Sequence, residues 1–445
     1  MDDGKQLSVR HRGWSMNDLT RLANSLMALD DKLVSCMKCG FCQAFCPVFD
    51  ETGQEGDVTR GKIALVENLA HLVLQDPEAV HERLSRCLLC GGCNFSCPAG
   101  APTMDIFLEA RAIVVGYLGL SPIKKAIFRT LLPNPKLFST LLKLSSPFQG
   151  LFIRKDNSPQ NTACVPMFKA FIGERHIPML AKQTLAAKVG KRDTPAGKSG
   201  LRVAFFPGCM GDKIYVDMSM ACLKVFEHHG VGVFLPDNLA CCGIPALVSG
   251  DKQSFSKMAK YNLDVFKKGN FDYIVTPCSS CTATIKEHWQ NADDLSAQDK
   301  EFARQLGEKA MDINAFVVDV LKVTPPEGAG KGRTKVTYHE SCHLMKSLRV
   351  SKQPKDLIKM NKDYEYVPLK EADHCCGCGG TFTLTQPELS AKIGQRKRDN
   401  IVASGAEVVA MGCPACMMQI SDMLARNHDP IKVKHTIEIY ADSLH

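Results

Sequence analysis

The pattern of apolar and polar positions changes character twice along the chain. Up to about residue 115 the apolar residues recur at helical spacing. They predict helices over 16–33, with Ser15 as N-cap and Asp18 as a weaker capping-box partner, over 58–74 after Asp57, and over 104–118 after Pro102. Between 116 and 200, eight prolines separate the short apolar–basic stretches 123–132 and 136–144. These read as helices of a connector or, alternatively, as a basic amphipathic surface for a membrane face or partner subunit. From 201 onward, β-branched and aromatic runs (203–207, 336–339) lead into helical stretches (216–230, 354–361), and further apolar runs cover 272–277 and 407–412. Such alternation predicts small sheets covered by helices.

This last region repeats itself. LRVAFFPGC (201–209) pairs with TKVTYHESC (334–342), NLACCG (238–243) with ADHCCG (372–377), and FDYIVTPCSSC (271–281) with AEVVAMGCPAC (406–416), at offsets of 133, 134 and 135 residues. Three anchors in nearly constant register define two copies of one unit. The glycine-rich segment 325–335 is their linker and lacks the GxxxxGK[ST] of a phosphate loop. The expected organisation is 1–115, 116–200, 201–325 and 333–445. Within each copy the cysteines fall after strands and before helices, where free N–H groups and the helix dipole favour thiolates.

Composition changes the picture through one residue type. Of 445 residues 21 are cysteine. The polar N-terminal stretch shows no apolar core or cleavage site, and no apolar run reaches the 18 or more residues of a spanning helix. A cytoplasmic, reducing setting is expected, with the chain at most peripheral on the inner face of the membrane, and there dense cysteines indicate metal or redox chemistry. The formal charge of +8 counts every cysteine as neutral. Thiolate-bound clusters, at roughly −2 each when oxidised, would offset part of it. No basic run interleaves with aromatics, so no nucleic-acid partner is expected.

CMKCGFCQAFCP and CLLCGGCNFSCP are both C-x2-C-x2-C-x3-C-P, the run of bacterial ferredoxins that hold two cubane [4Fe–4S] clusters, in which the fourth cysteine reaches the other cluster. The expected sets are Cys36, Cys39, Cys42 and Cys97 for one, and Cys87, Cys90, Cys93 and Cys46 for the other. Zinc would need only four ligands, and a double run of four is redundant for it. The repeats supply a second constellation: Cys209, Cys241, Cys242, Cys278 and Cys281 in the first, Cys342, Cys375, Cys376, Cys413 and Cys416 in the second. Five cysteines are odd for disulfides and exceed one zinc site. They point to an iron–sulfur centre of unusual shape.

The repeat resembles the cysteine-rich CCG domain shared by heterodisulfide reductase catalytic subunits and the iron–sulfur subunits of glycolate oxidase, the lactate-utilisation complex and anaerobic glycerol-3-phosphate dehydrogenase. The order of parts is most similar to the glycolate oxidase or D-lactate dehydrogenase iron–sulfur subunit. YHESCHLMKSLRVSKQP, CCGCGGTFTLTQPELS and VKHTIEIYADSL carry that likeness. It implies an α+β, α/β multidomain fold: a mostly helical two-cluster ferredoxin domain followed by two tandem β/α CCG domains. It also implies that each complete motif takes a non-cubane [4Fe–4S] cluster, so one or two further clusters are expected beside the cubane pair. The implied role is electron transfer from an FAD-containing hydroxy-acid dehydrogenase to a quinone or other membrane acceptor. The alternative is reduction of a disulfide at the CCG clusters.

Three cysteines remain. Cys222 lies on a helical apolar stripe and reads as core, Cys164 sits in the connector, and Cys378 stands two residues beyond the CC pair. His339, His343 and His374 adjoin cluster cysteines and are candidates for hydrogen bonds to cluster sulfur or for proton transfer. Arg60 and Lys62 follow the first run as helix anchors or charge balance. No GxGxxG follows a strand and no nucleophile elbow occurs, which places hydride chemistry on another subunit.

Overall fold

The computed structural model describes residues 15–145, 154–155, 158–160, 162–164, 175–326, 329 and 331–444. Ser15 caps helix α1 (Met16–Met27), its hydroxyl accepting from the Asp18 N–H at 3.2 Å. Helices α1, α2 (Thr59–Ala70), α3 (Pro77–Ser85) and α4 (Thr103–Leu118) close over a core that includes Leu22, Leu26, Ile63, Val66, Leu84, Ile106 and Phe107. Helix α3 falls outside the helices that periodicity predicts, although its start is well marked. Asp76 accepts from the Ala79 N–H at 2.9 Å and Pro77 takes the first helical position.

The two cysteine runs fill loops of this helical unit and share one backbone device. In each, the residues before and after the second cysteine are left-handed: Lys38 (φ 53°) and Gly40 (φ 84°) in the first, Leu89 (φ 52°) and Gly91 (φ 72°) in the second. This conformation turns N–H groups inward toward an anionic centre. The Leu89 N–H, for example, points at Cys87 Sγ, 3.4 Å away.

The described part of the connector holds helix α5 (Pro135–Ser145) and a three-stranded antiparallel sheet, β1 (Arg154–Lys155), β2 (Thr162–Cys164) and β3 (His176–Pro178). The connector is therefore not only helical. Strands of two or three residues carry too little alternation to show in the sequence. It straps the two repeats. Ser139 lies 3.2 Å from Lys213 Nζ of the first, while buried Arg175 meets Gln419 Oε1, Asp422 Oδ2 and Ser390 Oγ of the second.

The first repeat forms a sheet from β4 (Arg192–Asp193), β5 (Arg202–Phe205), β6 (Gly232–Leu235), β7 (Tyr273–Thr276) and β8 (Ala310–Asp312), in the order β4-β6-β5-β7-β8. All neighbours are parallel except the edge strand β4. The second forms β10-β9-β11-β12 from β9 (Thr334–His339), β10 (Tyr364–Tyr366), β11 (Val408–Met411) and β12 (Lys432–His435), wholly parallel. Leaving β4 aside, each sheet runs second-first-third-fourth. Strand order therefore reverses between β5 and β7 and between β9 and β11, the crevice where open α/β sheets bind ligands. Cys209 and Cys278 follow β5 and β7, and Cys342 and Cys413 follow β9 and β11.

The repeats pack about a pseudo-twofold axis. Helix α6 (Val216–His228) of the first lies on the C-terminal helix Thr436–Asp442 of the second, and reciprocally the stretch 313–320 lies on helix Lys352–Met360. Among the described residues no single helix is long and apolar enough to cross a membrane. One bent pair, Thr103–Leu118 with Pro122–Leu131, is long and apolar enough when its two helices are taken together, but α4 buries Ile106, Phe107, Val114 and Val115 in the core.

Candidate metal centres

In the helical unit the fourth cysteines cross over. Cys97 approaches Cys36 together with Cys42 and Cys39, whereas Cys46 approaches Cys87 and Cys90. Cys46, Cys87, Cys90 and Cys93 line one cavity. Cys46 is the residue before helix Pro47–Thr52, so the proline turns its sulfur away from its own run. Burial pushes the Cys46 and Cys93 thiols up to about 12, and metal binding there must release their protons. Two cations stand beside this set. Lys62, 1% exposed, donates to the Asp57 carbonyl close to Cys46 and Cys87. Arg111 donates to the carbonyls of Leu84 and Cys87 and, across the domain boundary, of Val248 at 2.8 Å. Arg60 pairs with Glu55 over the first run.

In the first repeat Cys209 Sγ lies 3.9 Å from Cys241 Sγ, and contacts continue from Cys241 to Cys242, from Cys242 to Cys281, and from Cys281 to Cys278. In the second they run from Cys342 to Cys375, Cys376, Cys416 and Cys413. Gly243 (φ 95°) and Gly377 (φ 86°) end the paired-cysteine turns, and the Gly377 N–H points at Cys375 Sγ, 3.5 Å away. Trp289 fixes the first turn by donating to the Cys242 carbonyl at 2.9 Å.

The sequence does not show that the two sets meet. Cys278 touches Cys413, Ser280 Oγ lies 2.9 Å from His343 Nδ1 and 3.7 Å from Cys413 Sγ, and all ten cysteines line a single cavity of about 300 Å³. Cys378 lines it too, as does Cys90 of the second ferredoxin-type run. The thiols divide into acceptors and donors. Cys242 is held well below its usual value by donation from Cys241 and then Cys281, and Cys376 likewise by Cys375 and Cys416. Cys375 is pushed up because it donates to its neighbours, Cys342 first. None of these cysteines is disulfide-bonded. A cavity walled by sulfur, with backbone N–H groups and cations behind it, fits thiolate-held iron–sulfur clusters.

Other candidates are placed as follows. His339 is fully buried against Cys376, and His343 lines the cavity. His374 instead faces Arg396, Lys397, Asp50 and Glu371. Cys222 is fully buried in the core, and the side chain of Cys164 lies outside the described residues. Sequence reasoning passes over Lys346 and Lys397, which stand near Cys342 and Cys375. Lys346 follows Cys342 by four residues, the one clue available. His435 is also missed. It caps the last helix, Nδ1 accepting from the Ile437 N–H at 3.1 Å, and burial depresses its pKa to about 4. The unfolded ring protonates near 6.5, so between about 6.5 and 4 only the unfolded state takes the proton and stability falls with falling pH. The loss is on the order of 3 kcal/mol. His435→Asn keeps a cap and should flatten this limb in urea titrations at pH 4.5 and 7.

Tandem parallel β/α units with cysteine-lined switch points, behind a double C-x2-C-x2-C-x3-C-P unit, define an iron–sulfur protein of the ferredoxin–CCG class. The family described as 4Fe-4S dicluster domain matches residues 32–101, and that described as Cysteine-rich domain matches 203–286 and 336–421. The chain is 29% identical over 400 residues to a probable glycolate oxidase iron-sulfur subunit of Bacillus subtilis, covering 88% of this chain and 89% of that one. It is 35% identical over 243 residues to lactate utilization protein A of Shouchella clausii, covering 54% of this chain and 98% of the relative. The chain belongs to this glycolate oxidase iron-sulfur subunit and lactate utilization protein A family. Among solved structures, a hypothetical protein from Helicobacter pylori aligns over 95% of this chain and 76% of its own, at 11% identity and a TM-score of 0.47.

Proposed function

We propose that the chain is the electron-transfer subunit of a flavin-dependent glycolate or lactate dehydrogenase. The observation that carries this is the direct contact between Cys90 of the second ferredoxin-type run and Cys375 of the second repeat. With the Cys278–Cys413 contact it makes a succession of thiols from the second ferredoxin-type run through both repeats. It runs from Cys46, Cys87, Cys90 and Cys93 to the five cysteines of the second repeat and then those of the first, while Cys36, Cys39, Cys42 and Cys97 form a set of their own in the same helical unit. When bound, two cubane clusters and up to two non-cubane clusters supply one-electron steps that a two-electron flavin requires. The chain's own groups hold the sulfurs, keep water from the inner sites and balance charge through Lys62, Arg111, Lys346 and Lys397. Cys39 is exposed, and Val34, Met37 and Phe41 beside it are 69%, 68% and 52% exposed, an apolar rim suited to a docking flavoprotein. A quinone or other membrane acceptor takes electrons at the repeat end.

Mixed anaerobically with a flavin-dependent 2-hydroxy-acid dehydrogenase and glycolate or lactate, the iron-loaded chain should bleach at all its clusters. Cys90→Ser should confine bleaching to the first cubane. The shared cavity also suits the alternative reading, in which the chain reduces a disulfide. Turnover of disulfides with a low-potential donor, without any response to hydroxy acids, would establish that reading and remove ours.

A further inference from the structure

The two five-cysteine sets are equal in sulfur but not in what stands behind it. The repeat alignment places His339, the last residue of β9, opposite Phe206 of the first repeat. Phe206 packs with ring centroids 6.1 Å from Phe266 and 6.0 Å from Trp289, an ordinary aromatic core. His339 at the same place has 0% exposure, and neither of its ring nitrogens makes a hydrogen bond of good geometry. Burying an imidazole against the Cys376 thiol, with no well-formed hydrogen bond at either nitrogen, costs free energy that a phenylalanine would not. One ligand atom of His339 and the sulfurs of Cys376 and Cys416 lie within 4.8 Å of one another. Donors that bond a metal at about 2.1–2.3 Å span such a triangle.

The strand explains the aim of the ring. Val336 and Tyr338 face the core formed with Val408, Ala410 and Ile439, so alternation turns His339 to the opposite face, toward the paired-cysteine turn. Register holds it there, because His339 pairs with Met411, two residues before Cys413.

We propose that His339 is a sixth protein ligand of the second repeat, whose centre is therefore of mixed thiolate–imidazole type while that of the first repeat is all-thiolate. The inference rests on the reading that the repeats hold iron–sulfur centres. Its consequence is electronic. An added neutral imidazole leaves the thiolate charge as it is and changes the donor set at one iron, so the two centres differ in potential although their sulfur is the same.

The test is pulsed electron paramagnetic resonance on the full iron-loaded chain with only its histidines labelled with nitrogen-15, poised stepwise in potential, with iron counted in the same sample. A strong coupling of the kind given by a directly bonded nitrogen is expected. It should vanish in His339→Phe, which copies the first repeat, and in His339→Gln, and persist in His343→Gln. His339→Phe should also shift the midpoint potential of one centre and leave the others unmoved. About sixteen irons per chain with only weak histidine couplings would overturn the ligand while leaving the cluster reading intact. About eight irons and no coupling would overturn both. The labelled wild-type chain decides the matter even where a variant fails to fold, and a strong coupling that survives His339→Phe would also overturn it.

Discussion

Gly377→Ala is expected to empty the second five-cysteine site while the first stays filled. Gly377 closes the Cys375–Cys376 turn with φ at +86°, where an L side chain is strained, and an added Cβ would stand 2.7 Å from the Ser390 carbonyl oxygen. That carbonyl belongs to helix Pro387–Ala403 and cannot swing aside. The same helix also holds the turn from its other side, since Ser390 Oγ donates to the Gly377 carbonyl at 2.8 Å. The left-handed backbone alone costs about 1–2 kcal/mol, and the clash must push the turn off the helix, carrying two adjacent sulfurs with it. Iron per chain should fall by about four atoms, with the spectra of the other centres retained. Two comparisons sharpen the result. Gly243→Ala at the sister turn meets the ring of Phe255 at 2.6 Å, a side chain rather than helix backbone, and should be milder. Gly380→Ala has the positive φ but nothing within 4 Å of the added carbon, and should keep its iron. Full iron in Gly377→Ala would show that the turn does not set the site.

The second large effect is expected at Arg111. Its guanidinium, on a residue 6% exposed, donates to the Leu84 carbonyl at 2.5 and 3.1 Å, to that of Cys87 at 2.6 Å and to that of Val248 at 2.8 Å. The first two carbonyls belong to the helical unit and the third to the first repeat. Arg111→Met fills similar volume yet leaves the Cys87 and Val248 carbonyls without this partner, each worth about 1–3 kcal/mol, while the Leu84 carbonyl keeps the Cys87 N–H at 3.2 Å. A loss of about 2–6 kcal/mol is expected in urea unfolding of the iron-loaded chain, together with slower electron passage past Cys90. A shift below about 1 kcal/mol would mean that water replaces the guanidinium and that the clamp is dispensable.

Much of this framework was legible in the sequence because it is local. The cysteine spacings, Ser15 and the β-branched runs ending at cysteines are properties of short windows, and the repeat offsets tie those windows together. The meeting of the two sites is not local. It depends on two sheets packing by their switch points, which brings Cys278 to Cys413, and on the helical unit docking on the second repeat, which brings Cys90 to Cys375, pairs separated by more than a hundred residues. Buried cations were hidden for a related reason. Arg111, Lys62 and Lys397 sit in helices where their letters suggest a solvated face, and only the surrounding thiols and carbonyls account for their burial. His374 looked equivalent to its neighbours His339 and His343, yet the turn at Glu371 (φ 52°) presents it to Arg396 and Lys397 instead.

The pseudo-twofold packing of the repeats has an ancestry written into it. Cys278 and Cys413 are equivalent positions that touch, and the helices of each repeat rest on their counterparts' neighbours in the other. That is the geometry of an isologous dimer, in which one patch binds its own copy. A single gene for one half, self-associating around a shared pocket, would already have built the ten-cysteine cavity. Joining two copies through the 325–335 segment would release each half from having to match the other. Phe206 opposite His339 is a place where the two halves differ behind the same sulfur set.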